Sequence, residues 1–284
     1  YQTKKRYSGA ITASRLSDQD PHMIYAQANN ANRYVDKTIG SSMNRNIDGD
    51  GKSQYGSYNY QHNWQTKGTQ QYTGNSFNIS ANMGHSDGWN TGGQSTETFF
   101  PNTEHPFALK DSYRYKHNLK PQMEARLFAY ADSINTINVK VKATYEKARK
   151  SYEEKSASYG YQPDQFAYHS LNEALAAKPG DALYDRLITR NRNYESSEQQ
   201  KRGLNISYEW QHFIGKKGSF TLQGYTNLSG TDEDTHTNRN VGYLREQRNE
   251  TLWQYYDRSD HDMETLLGAS LEHWLGKKVY FNIY

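Results

Sequence analysis

The sequence predicts an all-β protein: an antiparallel up-and-down transmembrane β-barrel, of which this chain supplies about ten strands of a larger barrel. Two patterns lead to this prediction. Apolar and polar residues alternate over many short segments, which gives each predicted strand one apolar and one polar face. Short turns and long polar connections also follow each other strictly along the chain. In outer-membrane barrels short turns face the periplasm and long loops face the outside.

The composition fits a barrel and excludes several other classes of protein. Only 34% of the 284 residues are hydrophobic, yet the chain contains 25 Tyr, 9 Phe and 5 Trp, which favours ordered structure. No stretch supplies the roughly 18 apolar residues of a membrane-spanning helix, whereas a barrel strand crosses lipid in roughly 9–11 residues, of which alternate ones face lipid. Without cysteine, disulfides and Cys-based zinc sites are excluded. Basic and acidic residues are mixed, so we expect no nucleic-acid partner.

Three predicted hairpins are the clearest, because each has an apolar rank on both sides of a short turn. They are Leu204–Gln211 with the turn Lys216-Lys217-Gly218 and Phe220; Leu267–Leu275 with Gly276-Lys277-Lys278 and Val279–Ile283; and Met123–Ala129 with Asp132–Asn135 and Ile137–Tyr145.

Two weaker hairpins precede them. One turns at Asp18–Pro21 and the other at Lys67-Gly68. The connections between hairpins are predicted as long loops at residues 34–53, 87–113, 150–201 and roughly 230–250. We therefore expect one barrel domain over residues 1–284, interrupted by these loops.

The segment 150–201 is predicted to be a long extracellular loop insertion with short helices. Ser170 and Glu173 have the spacing of a capping box before an alanine-rich turn, and Pro179-Gly180 ends the helical pattern. This loop could be a lid over the barrel mouth, a docking surface for a partner, or a loop that packs only on itself.

No pattern of catalytic or cofactor-binding residues is present. The chain lacks a Gly-x-Ser-x-Gly elbow and a phosphate-binding glycine run, so we expect no enzyme, no catalytic residue and no cofactor. His85 and Asp87 are close in sequence, but the pattern places them at a strand end in solvent, and no metal site is expected. Lys140, Lys142, Glu209 and Gln223 lie on the predicted polar faces and are our candidates for lining the lumen.

Three segments resemble the barrel of TonB-dependent-receptor-like proteins of the Bacteroidetes type. Residues 130–137 resemble that family's Asp-Ser-x-Asn-Thr-Ile turn. Residues 213–220 are similar to its lysine–glycine turn, with Ser219 in place of the usual Arg. Residues 271–277 resemble a strand that commonly reads Tyr-x-Glu-Pro-Leu, with His273 and Trp274 departing from it.

The resemblance implies an outer-membrane location, contact with outer-membrane lipid, and a large barrel with an N-terminal plug. It also implies contact with TonB through a segment that is not present in this chain, which we accordingly expect to be the middle of a longer protein. The function implied is uptake of a nutrient ligand. The alternatives are a barrel that acts as an adhesin or as a platform for a partner such as a surface lipoprotein, and a soluble β-rich carbohydrate-binding module.

Overall fold

The computed structural model describes residues 7–17, 19–30, 50–64, 74–98, 106–160, 170–215, 218–275 and 279–283. They form one ten-stranded sheet in which every strand pairs with its neighbours in sequence. The strands are β1 (Ser8–Arg15), β2 (His22–Asn29), β3 (Asp50–Trp64), β4 (Asn75–Glu97), β5 (Phe107–Tyr130), β6 (Asn135–Tyr159), β7 (Leu187–Ile214), β8 (Gly218–Tyr243), β9 (Arg248–Leu275) and β10 (Val279–Ile283).

All nine pairings are antiparallel, which confirms the all-β up-and-down fold and the expected number of about ten strands. The sheet is open: among the described residues, β1 pairs only with β2, and β10 only with β9. In that part of the chain no helix has the length and apolar character needed to span a membrane.

The predicted hairpins are confirmed by the strand pairings. Ile214 pairs with Gly218, and Leu275 pairs with Val279, so each of these turns is three residues long. The turn residues Lys216, Lys217 and 276–278, and the Lys67-Gly68 turn, lie outside the described residues. Asp132 explains the turn between β5 and β6, because its carboxylate accepts hydrogen bonds from the Ile134 amide at 2.9 Å and from the Asn135 side chain at 2.8 and 2.9 Å.

An apolar band crosses one face of the sheet close to the short turns. On the five longest strands, β5–β9, it comprises alternate residues of Met123–Ala129, Ile137–Ala143, Leu204–Trp210, Leu222–Leu228 and Met263–Ala269. The pairing register aligns these segments, so that Met123, Ala143, Leu204, Leu228 and Met263 form one continuous row. We call the side that carries these residues the banded face and the opposite side the polar face.

The predicted long loops are wrong in extent, because the strands continue through much of them. The expected strict alternation of short turns with long loops is also wrong, because the predicted loop at 230–250 is reduced to the four-residue turn 244–247 between β8 and β9. Residues 87–97 and 107–113 belong to β4 and β5, residues 150–159 and 187–201 to β6 and β7, and residues 230–243 and 248–250 to β8 and β9. In the remaining predicted loop, β3 begins at Asp50, and residues 34–49 lie outside the described part. We call the strand portions beyond the band, away from the β5–β6, β7–β8 and β9–β10 turns, the distal part of the sheet.

Alternation could not reveal most of the distal part, since both of its faces are largely polar between the apolar band and the buried core at its far end. Its strands are recognisable only by their cross-strand partners. On the banded face Arg149 of β6 binds Glu198 of β7 at 2.6 Å, and on the polar face Lys110 of β5 binds Glu154 of β6 at 2.7 Å. Opposite charges on paired strands stabilise a sheet without an apolar face.

The buried core of the described residues lies at the far end of the distal part. A short helix, α1 (Ser170–Ala176), begins at the predicted capping box and packs Leu171, Ala174 and Leu175 against Tyr159 and Leu187. Arg190 donates a hydrogen bond from Nη1 to the carbonyl of Ala177 at 3.1 Å. This bond supplies a donor to a carbonyl just after the helix, where backbone acceptors have no partner within the helix.

The side on which α1 packs bears on two of the roles considered for this loop, a lid and a loop that packs on itself. Tyr159 and its strand partner Leu187 lie on the banded face, since Tyr159 is an even number of positions from Val141 on β6. The helix is therefore placed on the banded face of the sheet rather than over the polar face, which favours a self-packed cap over a lid. The second helical turn, a 3₁₀ helix at Tyr184–Arg186, ends where β7 begins.

Candidate functional site on the polar face

The four predicted lumen residues share the polar face. Lys140 and Lys142 lie on β6, Glu209 on β7 and Gln223 on β8, and Glu209 stands directly opposite Gln223. Lys140 forms an ion pair with Glu124 of β5 at 3.1 Å, and Glu124 is itself the direct cross-strand neighbour of Lys142. The structure thus brings both lysines to one carboxylate, whereas Glu209 and Gln223 form a separate pair nearer the short turns.

A polar row crosses the sheet at the height of the apolar band. It runs from Glu124 through Lys142, Asn205 and Asn227 to Glu264. Asn205 donates to Asn227, Asn227 donates to Glu264 at 3.3 Å, and Tyr225 donates to the same carboxylate at 2.6 Å. The wall of a barrel with a polar lumen needs apolar residues on its lipid-facing side and hydrated or hydrogen-bonded side chains on its other side. The two faces of these strands have this arrangement.

Charge is distributed unevenly over the polar face. Its β5 and β6 positions carry eight basic and three acidic side chains, and its β8 and β9 positions carry three basic and six acidic ones. The basic excess comes from Lys110, Arg114, Lys116, Lys120, Arg126, Lys140, Lys142 and Lys150. This face therefore has a basic wall next to β4 and an acidic wall next to β10.

Two like-charged pairs of the basic wall stand directly opposite each other on β5 and β6, Arg126 with Lys140 and Lys116 with Lys150, and Lys140 has its ion pair with Glu124. Like charges at directly opposite positions destabilise a sheet. By contrast, the neighbouring Lys120 is paired with Glu146. The polar-face pattern used to predict the lumen residues did not include Lys116 and Lys150, although the even-numbered basic residues along 110–126 were a detectable signal.

A second group of charged side chains lies further out on the polar face. Partial burial works to raise the pKa of Glu154, but hydrogen bonds from Lys110 and Tyr152 outweigh it and hold that pKa below its usual value. On the adjacent strand the side-chain oxygens of Asn191 and Asn193 are buried and accept no hydrogen bond from the described residues. Acceptors of this kind are available to water or to a ligand donor.

A third cluster lies on the banded face immediately beyond the apolar band. His85 and Asp87 belong to the interior of β4, not to a strand end as the sequence predicted, and His117 stands opposite Asp87 on β5. Partial burial works to raise the pKa of Asp87, but hydrogen bonds from His117 and Tyr115 lower it overall. His117 could not be predicted as a neighbour of Asp87, since only the β4–β5 register brings the two residues together.

The described residues offer no arrangement that would identify an enzyme family, and comparison with known proteins gives little more. No protein-family model matches the chain, and no curated protein matches it. Among solved structures the chain is similar to the ferric yersiniabactin uptake receptor FyuA from Yersinia pestis, at 9% sequence identity and a TM-score of 0.22. The similar region covers 99% of this chain and 44% of that receptor, so the chain spans less than half of the receptor's length. A TM-score of this size does not establish a common fold.

Proposed function

We propose that these strands form part of the wall of a transmembrane β-barrel in a bacterial outer membrane, and that the barrel takes up a nutrient ligand through its polar lumen. The observation that carries the proposal is the apolar band. It extends across β5–β9, and its two threonine hydroxyl groups, those of Thr226 and Thr265, are hydrogen-bonded to each other at 3.3 Å. The protein leaves the band uncovered: Met123, Met263 and Leu267 are 51%, 72% and 64% exposed. Exposed apolar surface of this extent is stable in contact with lipid and unfavourable in contact with water.

The dimensions of the band support the same conclusion. Each segment of the band is seven residues long, for example Ile137–Ala143, or about 23 Å along the strand at 3.3 Å per residue. Apolar bands of outer-membrane barrels are roughly 25 Å tall. On the other side of the same strands, Lys140, Lys142 and Glu124 would be excluded from lipid and belong in water.

The polar face supports a transport role for the barrel. A lumen lined by separate basic and acidic walls can attract charged ligand groups over its whole height. The distal strands would then stand outside the membrane, since β7 continues for 17 residues beyond Leu204, or roughly 55 Å. Energy coupling through TonB and a plug, in the manner of TonB-dependent receptors, is part of this proposal.

Membrane fractionation of the full-length protein is the first experiment. We expect the protein in the outer-membrane fraction, with a mobility on unboiled gels that changes on heating. A protein that remains soluble without detergent would contradict the barrel and favour the carbohydrate-binding module.

Cysteine labelling tests the two faces separately, because this chain contains no cysteine of its own. Val141→Cys and Lys142→Cys are adjacent on β6 but lie on opposite faces. In intact outer membranes we expect a water-soluble maleimide to label Lys142→Cys and to leave Val141→Cys unlabelled. Equal labelling at both positions would contradict a lipid-facing band.

Uptake needs its own measurement. The full-length protein in liposomes should bind or take up at least one member of a panel of ferric siderophores, oligosaccharides, short peptides and metal complexes. If it binds none, the transport role fails while the barrel can still stand.

The structure also favours a second candidate function, a platform or adhesin for a protein partner. The distal strands and the α1 cap give the protein a large rigid surface beyond the band. Because residues 150–159 and 187–201 belong to β6 and β7, the deletion that tests this role is confined to residues 161–186 and bridged by a short turn. A stoichiometric partner that is lost on this deletion, with ligand uptake unchanged, would favour the platform.

A further inference from the structure

The histidine cluster beyond the apolar band has the geometry of a metal site. Nδ1 of His117 lies 2.7 Å from Oδ1 of Asp87, and Nε2 of His85 lies 3.5 Å from Oδ2 of the same carboxylate. The three ligand atoms all lie within 4.8 Å of one another. The rings of the two histidines meet edge to face, with centroids 5.1 Å apart. Two strands therefore direct three donors to one point.

The donor set selects a class of metal. Imidazole nitrogen and carboxylate oxygen are ligands of Zn²⁺ and of neighbouring divalent transition metals, whereas Ca²⁺ and Mg²⁺ prefer oxygen alone. Three protein ligands with bonds of about 2.0–2.2 Å leave a fourth position open for water or an exchangeable ligand. Tyr115 donates a hydrogen bond to Asp87 at 3.1 Å, as an outer-shell partner that orients a ligating carboxylate.

The surroundings of the cluster are compatible with a bound cation. The ligand side chains are only 22–26% exposed, so they are partly withdrawn from water while remaining accessible from the banded face. Two basic residues are the cross-strand neighbours of the cluster: Lys52 opposite Asp87 and Arg149 opposite His117. Arg149 is neutralised by Glu198 at 2.6 Å, and Lys52 is exposed and can extend into solvent.

We propose that His85, Asp87 and His117 form a Zn²⁺-class metal site that joins β4 to β5 just beyond the membrane band, with one coordination position open. The site lies on the banded face and is separate from the ligand route along the polar face. The proposed metal site rests on the strand register and the side-chain geometry, and it does not depend on the transport role.

Calorimetry with zinc on the full-length protein tests the site. The protein should be stripped with EDTA, freed of any histidine tag and kept in detergent. We expect one zinc equivalent whose affinity falls at least about 100-fold in His85→Ala/His117→Ala, since loss of an outer-shell partner alone typically costs 10–100-fold. The matched control His236→Ala/His261→Ala removes two histidines from the banded face of β8 and β9 and should bind zinc like the wild type.

A second measurement does not depend on removing histidines. Asp87→Asn keeps the size of the side chain and removes its charge, so the sheet should be preserved. Co²⁺ bound to the wild type should give the intense visible d–d absorption of a tetrahedral site, and Asp87→Asn should lose it. Unchanged zinc affinity in His85→Ala/His117→Ala, an equal loss in the control pair, or an unchanged Co²⁺ spectrum in Asp87→Asn would each overturn the proposal.

Discussion

The hydroxyl end of Tyr208 occupies the space in which a Cβ atom at Gly224 would stand. The two residues face each other across β7 and β8 on the banded face, and a Cβ at Gly224 would lie 2.6 Å from Tyr208 Oη and 2.6 Å from the Leu266 carbonyl. The aromatic ring thus covers backbone that a side chain would otherwise protect.

Gly224→Ala should therefore destabilise the protein. One obstructing atom is backbone and cannot move aside, so we expect a loss of roughly 1–3 kcal/mol, as in overpacked cores. Gly268→Ala is the matched control, because the nearest atom to its Cβ would be 4.0 Å away. Urea unfolding in detergent, followed by tryptophan fluorescence, measures both. Equal midpoints for the two variants would contradict the close contact.

Asp132→Ala should weaken the β5–β6 turn. The Ile134 amide and the Asn135 side chain donate to this carboxylate and lower its pKa below the usual value. Because the pKa of Asp132 is lower in the folded than in the unfolded state, the ionised carboxylate stabilises the fold at pH values above the unfolded-state pKa. This stabilisation is lost as the pH falls from the unfolded-state pKa through the folded-state pKa. The unfolding midpoint of the variant should accordingly be lower at pH 7, with a smaller difference in acid. Ser133→Ala, which keeps the carboxylate, is the control.

Glu198 should make the distal part sensitive to acid. Lys147 and Arg149 donate to it at 2.5 and 2.6 Å and lower its pKa to about 2. Its stabilising effect is thus complete above about pH 4.5 and declines as the pH falls toward 2. We expect Glu198→Gln to cost about 1 kcal/mol at pH 7, after allowance for solvent screening of a partly exposed ion pair.

The control for Glu198 is Glu153→Gln, whose carboxylate is 45% exposed and pairs with Lys155 on its own strand. It should change stability little at any pH. Unfolding midpoints should be measured from pH 7 to pH 3. If the difference between the midpoints of the wild type and Glu198→Gln stayed constant over this range, the stabilising role of the Glu198 carboxylate would be contradicted.

Lys150→Glu should stabilise the sheet by removing a repulsive pair. It places a carboxylate directly opposite Lys116, and favourable cross-strand pairs contribute about 0.2–1 kcal/mol. Lys120→Glu is the opposite control, because it destroys an existing pair with Glu146 and should lower stability. A stability gain that is accompanied by weaker ligand binding would show that the native lysine pair serves the ligand. A loss of stability in Lys150→Glu would show that the two ammonium groups do not repel.

Local signals were sufficient to predict the turns and the band from the sequence. Asp132 and the apolar ranks on either side of it define a hairpin within a few residues, so the shared face of Lys140 and Lys142 could be predicted as well. The ends of the strands could not, since Lys147 and Arg149 on the banded face resemble Lys150 on the polar face in polarity. The pairing of Asp87 with His117 depends on residues 30 positions apart and on a register that no local pattern contains.

The sequential strand order also constrains how the protein can assemble. Each pairing in the sheet joins strands that follow one another along the chain, and four of them turn back within four residues or fewer. Short closures of this kind form quickly and cost little chain entropy. The sheet can accordingly grow by one hairpin at a time, and each new strand finds its register on an edge that its predecessor has already set. The segment between β6 and β7 is the slow step in such a scheme, and there the α1 core holds the two strand ends together.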